Sequence, residues 1–216
     1  MYPILIGVIC LLLSQIHGTI GSVQIQVKRS VEGIKLRSIG QSMLSDEATH
    51  PGALTSGDLP DVYAVAARLA RDGEMTDPSV WFSKIDQNYP APREMPQSIL
   101  DPVPAAGGVA PINPIFQGMT PAVAVALFPA GTNFDRLPGT TPLAWTRGLQ
   151  PDGNWSKSLG TYGDWGGHIV FLNGSIQSLQ GSISGKLTSY GNGKPTSNIQ
   201  EALPPGTRIS EFKPGK

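Results

Sequence analysis

Hydrophobic positions change character along this chain. Residues 1–16, MYPILIGVICLLLSQI, are almost wholly apolar, and no Lys, Arg, Asp or Glu occurs before Lys28. A charge-free stretch of this length predicts a membrane-spanning helical half over residues 1–26. From Gln24 to Leu44, Val27, Val31 and Ile34, and then Leu36, Ile39 and Met43, recur at three- and four-residue steps, with Lys28, Glu32, Lys35 and Gln41 between them. That spacing predicts an amphipathic helix continuous with the apolar segment. Gly33 and Gly40 each weaken it by about 1 kcal/mol relative to alanine, and His50-Pro51-Gly52 ends it.

Further on the pattern shortens. Asp58 as N-cap, Pro60 in the first turn and Val62, Ala66 and Leu69 on one face predict a second, short helix ending at Gly73. Val80-Trp81-Phe82, after the Asp77-Pro78 turn, predicts a brief strand. Asn88 to Thr120 holds seven prolines and three glycines, which predicts an extended surface loop. Ala122–Phe128 and Leu143–Thr146 predict strands bounded by Pro or Gly. In HIVFLNGSIQSL two strands meet at Asn173-Gly174, a pair suited to a type I′ turn with positive φ at both residues. A two-residue loop sets Phe171 opposite Ile176 and Ile169 opposite Ser178, with Phe171 at the helix–sheet interface. Residues 181–216 are polar and rich in Gly, Ser and Pro, which predicts a loosely packed tail. The expected fold is α+β: a long N-terminal helix, half in the membrane and half amphipathic, packed on a small antiparallel sheet with long loops. Residues 1–26 form the membrane half, 27–180 the globular domain and 181–216 the tail.

Charge narrows the function classes. Lys plus Arg and Asp plus Glu both total 16 of 216 residues, and no arginine-rich run occurs, so nucleic acid is not an expected partner. The one cysteine, Cys10, lies in the apolar segment, so neither a disulfide framework nor a thiolate metal cluster is expected.

The apolar segment has a second reading. Ile4–Leu13 followed by Gly18, Gly21 and Ser22 could be a cleaved signal peptide, which would make the chain a secreted carbohydrate- or ligand-binding domain. Against it stand the lack of a basic residue before Ile4 and the helical spacing that runs on through Val27, Val31 and Ile34. Lys28, Arg29, Lys35 and Arg37 follow the segment, and a positive-inside count would leave the body in the cytoplasm.

Taken in order, the apolar helix running into KLRSIGQSML, the Thr-Asp-Pro-Ser-Val stretch and the GGHIVFLNGSIQSL hairpin resemble the type IV pilin-like proteins. More specifically, the chain resembles the type II secretion pseudopilin-like subunits abundant in planctomycete and verrucomicrobial bacteria. Leu36-Arg37-Ser38-Ile39-Gly40 stands where those proteins close the long helix, and His168 through Leu179 where they close the sheet. The resemblance covers residues 4–48, 59–86 and 121–180. It implies a structural subunit, not an enzyme, held by a single pass in the inner membrane with its C-terminal domain periplasmic or extracellular. Other pilin-like subunits, met through the N-terminal helix, are the implied partners. Neither a cofactor nor a small-molecule substrate is expected. Family precursors carry a basic leader and an acidic residue early in the helix, and Met1-Tyr2-Pro3-Ile4-Leu5 has neither. In-frame codons upstream of Met1 are therefore expected to encode them.

Several residues could carry chemistry. His168 with Asp164 and a nearby serine has the makings of a triad, although such close spacing on one turn and strand favours an ordinary strand histidine. His17 is an ionisable side chain within or at the end of the apolar segment. Asp152, Asn154 and Asp164 could offer oxygens to calcium, though two carboxylates fall short of the six or more ligands it takes. Trp145, Trp155 and Trp165 could form a sugar-binding platform or could be core. Asn154-Trp155-Ser156 and Asn173-Gly174-Ser175 match the glycosylation acceptor pattern, which carries little weight in a bacterial protein. No catalytic, cofactor or metal residue is assigned.

Overall fold

The computed structural model describes residues 2–55, 59–72, 75–91, 93–102 and 108–211, with side chains from Gln26 onward. Helix α1 covers residues 26–49, which lie against the sheet. The side chains of the apolar segment, Cys10 and His17 among them, lie outside the described residues. Among the described residues no helix is long and apolar enough to cross a membrane.

Within 26–49, Leu36, Ile39 and Met43 are buried, as their spacing predicts. Val27, Val31 and Ile34 are 57, 48 and 65 % exposed, so the two apolar sets belong to different faces. One helical turn spans 3.6 residues, and the two-residue step from Ile34 to Leu36 carries the pattern round the helix. Glu32 also belongs to the inner side, where Lys35 Nζ reaches its carboxylate (3.4 Å) and the carbonyls of Ser79 (3.3 Å) and Phe82 (3.1 Å). At the far end Glu47 accepts from the backbone N–H of Gly52 (2.7 Å) and Leu54 (3.0 Å), fixing the turn that leaves the helix.

Helix α2 is Val62–Arg71, and its N-cap is Asp61, whose carboxylate accepts from Ala64 N. The cap therefore falls three residues beyond Asp58. Val62, Ala66 and Leu69 are buried as expected. Pro78–Trp81 is a 3-10 turn, not a strand: Asp77 caps it through Ser79 N, and Pro78 supplies a helical φ. The proline-rich stretch is not only surface loop. Ile99 and Phe116 are fully buried, helix α3 (Pro114–Gln117) forms within it, and Phe116 meets Phe82 and Tyr63 edge-on at 5.8 and 5.9 Å.

The strands are β1 (Val123–Leu127), β2 (Pro142–Thr146), β3 (Thr161–Asp164), β4 (Gly166–Phe171), β5 (Ile176–Gln180), β6 (Leu187–Thr188), β7 (Pro195–Thr196) and β8 (Arg208–Ser210). Five make an antiparallel sheet in the order β5-β4-β2-β1-β8, and β6 pairs with β7 apart from it. The architecture is thus α+β with a small antiparallel sheet. Every residue of β1, β2 and β4 is buried, so both faces of the central sheet are covered.

The hairpin forms where expected but in another register. Ile169 lies opposite Gln177 and Val170 opposite Ile176. Phe171 N donates to Ser175 O and Gly174 N to Phe171 O, both at 2.9 Å, which makes a three-residue loop with a bulge at Gly174 (φ 74°). Asn173 does not adopt positive φ; its Oδ1 instead accepts from Ser175 N and Oγ. The face seen by α1 also differs from expectation. Val170 and His168, two residues apart on one side of β4, meet the helix, so Val170 takes the interface place expected for Phe171.

The tail is not loosely packed. Ile183, Leu187, Ile199, Ala202 and Leu203 are buried, and β8 joins the main sheet by pairing with β1. Its polar composition hid isolated apolar anchors spaced too irregularly to show a period.

Buried ionic contacts join these layers. Arg147, 2 % exposed, donates Nη2 to Asp86 Oδ2 (2.7 Å), Nη1 to Pro121 O (2.7 Å) and Nε to Leu159 O (2.8 Å). One guanidinium thereby holds the 83–89 turn, the approach to β1 and the loop before β3.

Candidate functional site

Two glycines set the seam between α1 and the sheet. A Cβ at Gly33 would stand 3.3 Å from His168 Cε1, and one at Gly40 only 2.2 Å from Val170 Cγ1. Their bare backbone lets β4 approach the helix, which explains residues that looked like helix defects.

His168 is buried in this seam. Its Nε2 donates to Arg29 O (3.1 Å), since a carbonyl can only accept, and its ring meets Tyr162 edge-on at 5.7 Å. Burial lowers its pKa; the bond to the Arg29 carbonyl acts the other way and the Arg29 charge reinforces the lowering. Tyr162 is pushed upward by burial and by the Glu32 carboxylate. Asp164 is exposed at the end of β3. His168 is engaged with the helix backbone, on a strand flanked by β5 and β2.

Beside this seam an open cleft of about 490 Å³ lies between α1 and the β4–β5 edge. Arg29, Ser30, Arg37, Trp165, Ser178 and Gln180 are on its walls, and among the described residues no carboxylate lines it. The Arg29 guanidinium carbon sits 4.5 Å from the centre of the Trp165 ring, which is 62 % exposed. Of the other tryptophans proposed for a platform, Trp145 is fully buried and Trp155 nearly so, with Trp155 Nε1 donating to Thr146 O (3.3 Å). Those two belong to the core on the side of the sheet away from α1, where a Cβ at Gly167 would strike Trp155. The three do not form one surface.

At the opposite end of the α1 seam, Arg68 grips Asp46 with Nε and Nη2, and His50 Nδ1 donates to Asp46 Oδ1 (3.0 Å). Burial would raise the Asp46 carboxyl, but the bonds from Arg68 and His50 and the Arg68 charge outweigh it and hold it low. Asp46, His50 and Asp72 bring ligand-type atoms within 4.8 Å of one another. A cation there would have to displace Arg68 from Asp46, so the arrangement works as an ion pair linking α1 to α2.

The Asp152 loop is an Asx turn. Asn154 N and Nδ2 donate to the two Asp152 oxygens, both at 2.9 Å, and these bonds hold that exposed carboxyl low. Asn154 is thereby engaged within the turn, and Asn173 within the hairpin.

Residue reasoning from sequence did not single out Arg29 with Trp165, Asp46 with Arg68, or Asp86 with Arg147. The separations within these pairs, 22 residues for Asp46–Arg68 and 61 for Asp86–Arg147, leave no local signal. No protein-family model, curated protein or solved structure matches the chain.

Proposed function

We propose that the chain is a pilin-like or pseudopilin-like structural subunit, anchored by a long N-terminal helix in the inner membrane with its body periplasmic or extracellular. On this reading it contributes to a type II secretion or type IV pilus-like assembly through helix contacts with other such subunits, and it catalyses no reaction. The observation that carries the reading is the division of α1 into two faces. The inner face is consumed by the sheet, through Gly33, Leu36, Ile39, Gly40 and Met43. The outer face presents Val27, Val31 and Ile34 at steps of four and three. In the sequence, Ile16, Ile20 and Val23 precede them at similar steps, so one apolar stripe runs from the charge-free segment onto the domain. A stripe that the domain itself leaves uncovered suits helix packing between subunits.

The test combines fractionation with crosslinking in the envelope. With Cys10→Ser as background, Val31→Cys is expected to give disulfide-linked dimers in the inner-membrane fraction, and Lys28→Cys fewer. N-terminal sequencing is expected to find the apolar segment retained. A soluble product beginning near Thr19 or Val23 would overturn the reading in favour of a secreted binding domain.

A further inference from the structure

The cleft beside Trp165 combines features that none of the packing requires. Arg29 and Arg37 bring two positive charges to its walls, and among the described residues no acidic one lines it. The Arg29 guanidinium carbon lies over the Trp165 ring, and Arg29 Nε is buried with no hydrogen-bond partner among the described residues. A guanidinium nitrogen left without an acceptor is costly, and the planar fork of an arginine is matched to phosphate oxygens. Among the described residues Trp165 is also the one large aromatic ring left mostly in solvent beside a cation. A guanidinium, a second arginine and an open indole edge are suited to a phosphate group attached to a partly apolar body.

Position decides the source. Arg29 follows Lys28, the first charged residue after the apolar segment, so the cleft opens where the chain passes from apolar to charged sequence. Tryptophan and basic side chains collect at that level of a bilayer, where headgroup phosphates lie. We propose that the Arg29–Arg37–Trp165 cleft binds a phosphate group, and that in the anchored protein the phosphate belongs to an anionic phospholipid headgroup. The lipid source rests on the membrane-anchored reading, whereas phosphate binding by the cleft does not.

Trp81, Trp145 and Trp155 are buried, so acrylamide quenching of the full chain reports mainly on Trp165. The chain is reconstituted in vesicles of phosphatidylcholine alone and of equal parts phosphatidylcholine and phosphatidylglycerol. Quenching is expected to fall about twofold in the anionic vesicles, and Arg29→Gln and Arg37→Gln are each expected to remove most of that difference. Arg37 is exposed and outside the seam, so its variant tests the cleft even if Arg29→Gln disturbs the helix. A parallel arm titrates inorganic phosphate into the chain in a neutral maltoside detergent. Protection by inorganic phosphate with no dependence on vesicle composition would overturn the lipid source and keep the cleft as a soluble-phosphate site. Failure of the chain to enter either vesicle would count against anchoring and leave the detergent arm to test the cleft. No protection in either arm, or variants that respond like the native chain, would overturn the proposal.

Discussion

Gly40 of α1 faces Val170 of β4 so closely that a single methyl group would stand 2.2 Å from Val170 Cγ1. Val170 is branched at Cβ, has little rotamer freedom and cannot swing aside. Gly40→Ala is therefore expected to lose about 1–3 kcal/mol from overpacking, more than the roughly 1 kcal/mol gained in helix propensity. Gly33→Ala, whose new carbon would sit 3.3 Å from His168 Cε1, is expected to be close to neutral. Denaturant unfolding of both variants checks the contrast, and equal effects would show that the helix does not rest on β4 as described.

Asp86 and Arg147 form the most enclosed ion pair, 2.7 Å apart with both side chains 2 % exposed. Asp86 also accepts from Asn88 N (2.9 Å). Removing one partner strands the other charge in the interior, so Asp86→Ala is expected to cost about 3–5 kcal/mol. Asp164→Ala, at an exposed site, is expected to shift the melting temperature little. Thermal melts of the two variants decide it.

The pH dependence follows from His168 and Asp46, both of whose pKa values are lowered in the fold. His168 has a folded pKa below its ordinary 6.5. Above that value both states are neutral there and its contribution is complete; as pH falls below 6.5 the unfolded chain takes up the proton first and stability declines. Asp46 is also lowered, from 3.8, so its contribution is present above 3.8 and fades as pH drops through the folded value. Unfolding free energies measured from pH 8 to pH 5 are expected to fall for the native chain and to fall less for His168→Gln, whose amide can still donate to Arg29 O. Parallel curves would remove His168 as the cause.

At the hairpin, Gly174 carries the positive φ and an added Cβ would meet nothing within 4 Å. Gly174→Ala is therefore expected to cost about 1–2 kcal/mol through backbone strain alone. Asn173→Gly is expected to destabilise, because Asn173 serves through its Oδ1 and not through positive φ. A stabilised Asn173→Gly variant would favour the type I′ turn instead.

The α+β plan was legible because its signals are local: the three- and four-residue spacing of Leu36, Ile39 and Met43, and the apolar runs of β1 and β4. The hairpin was legible in position, but its register turned on one extra loop residue, and that shift moved Val170 rather than Phe171 onto the helix. Apolar spacing also could not divide Val27, Val31 and Ile34 from the inner face, since an exposed stripe has the same period as a buried one. The apolar neighbours of Trp81 mask Asp77-Pro78, a helix-start signal, so the sequence points to a strand where a 3-10 turn forms. The cleft was out of reach of sequence reading, for it depends on Trp165 from the β3–β4 turn meeting Arg29 across the fold.

Strand β1 stands between β2 and β8, so Val123–Leu127, apolar at every position, has one open edge until residues 208–210 pair with it. On the ribosome that edge emerges long before its second partner. The domain is thus held incomplete through most of its own synthesis, in a form that can still be threaded through a translocation channel or held by a chaperone that binds extended apolar chain. Completion of the sheet is timed by the arrival of three residues near the C-terminus, and a ribosome stalled before them would leave a sticky, half-built body.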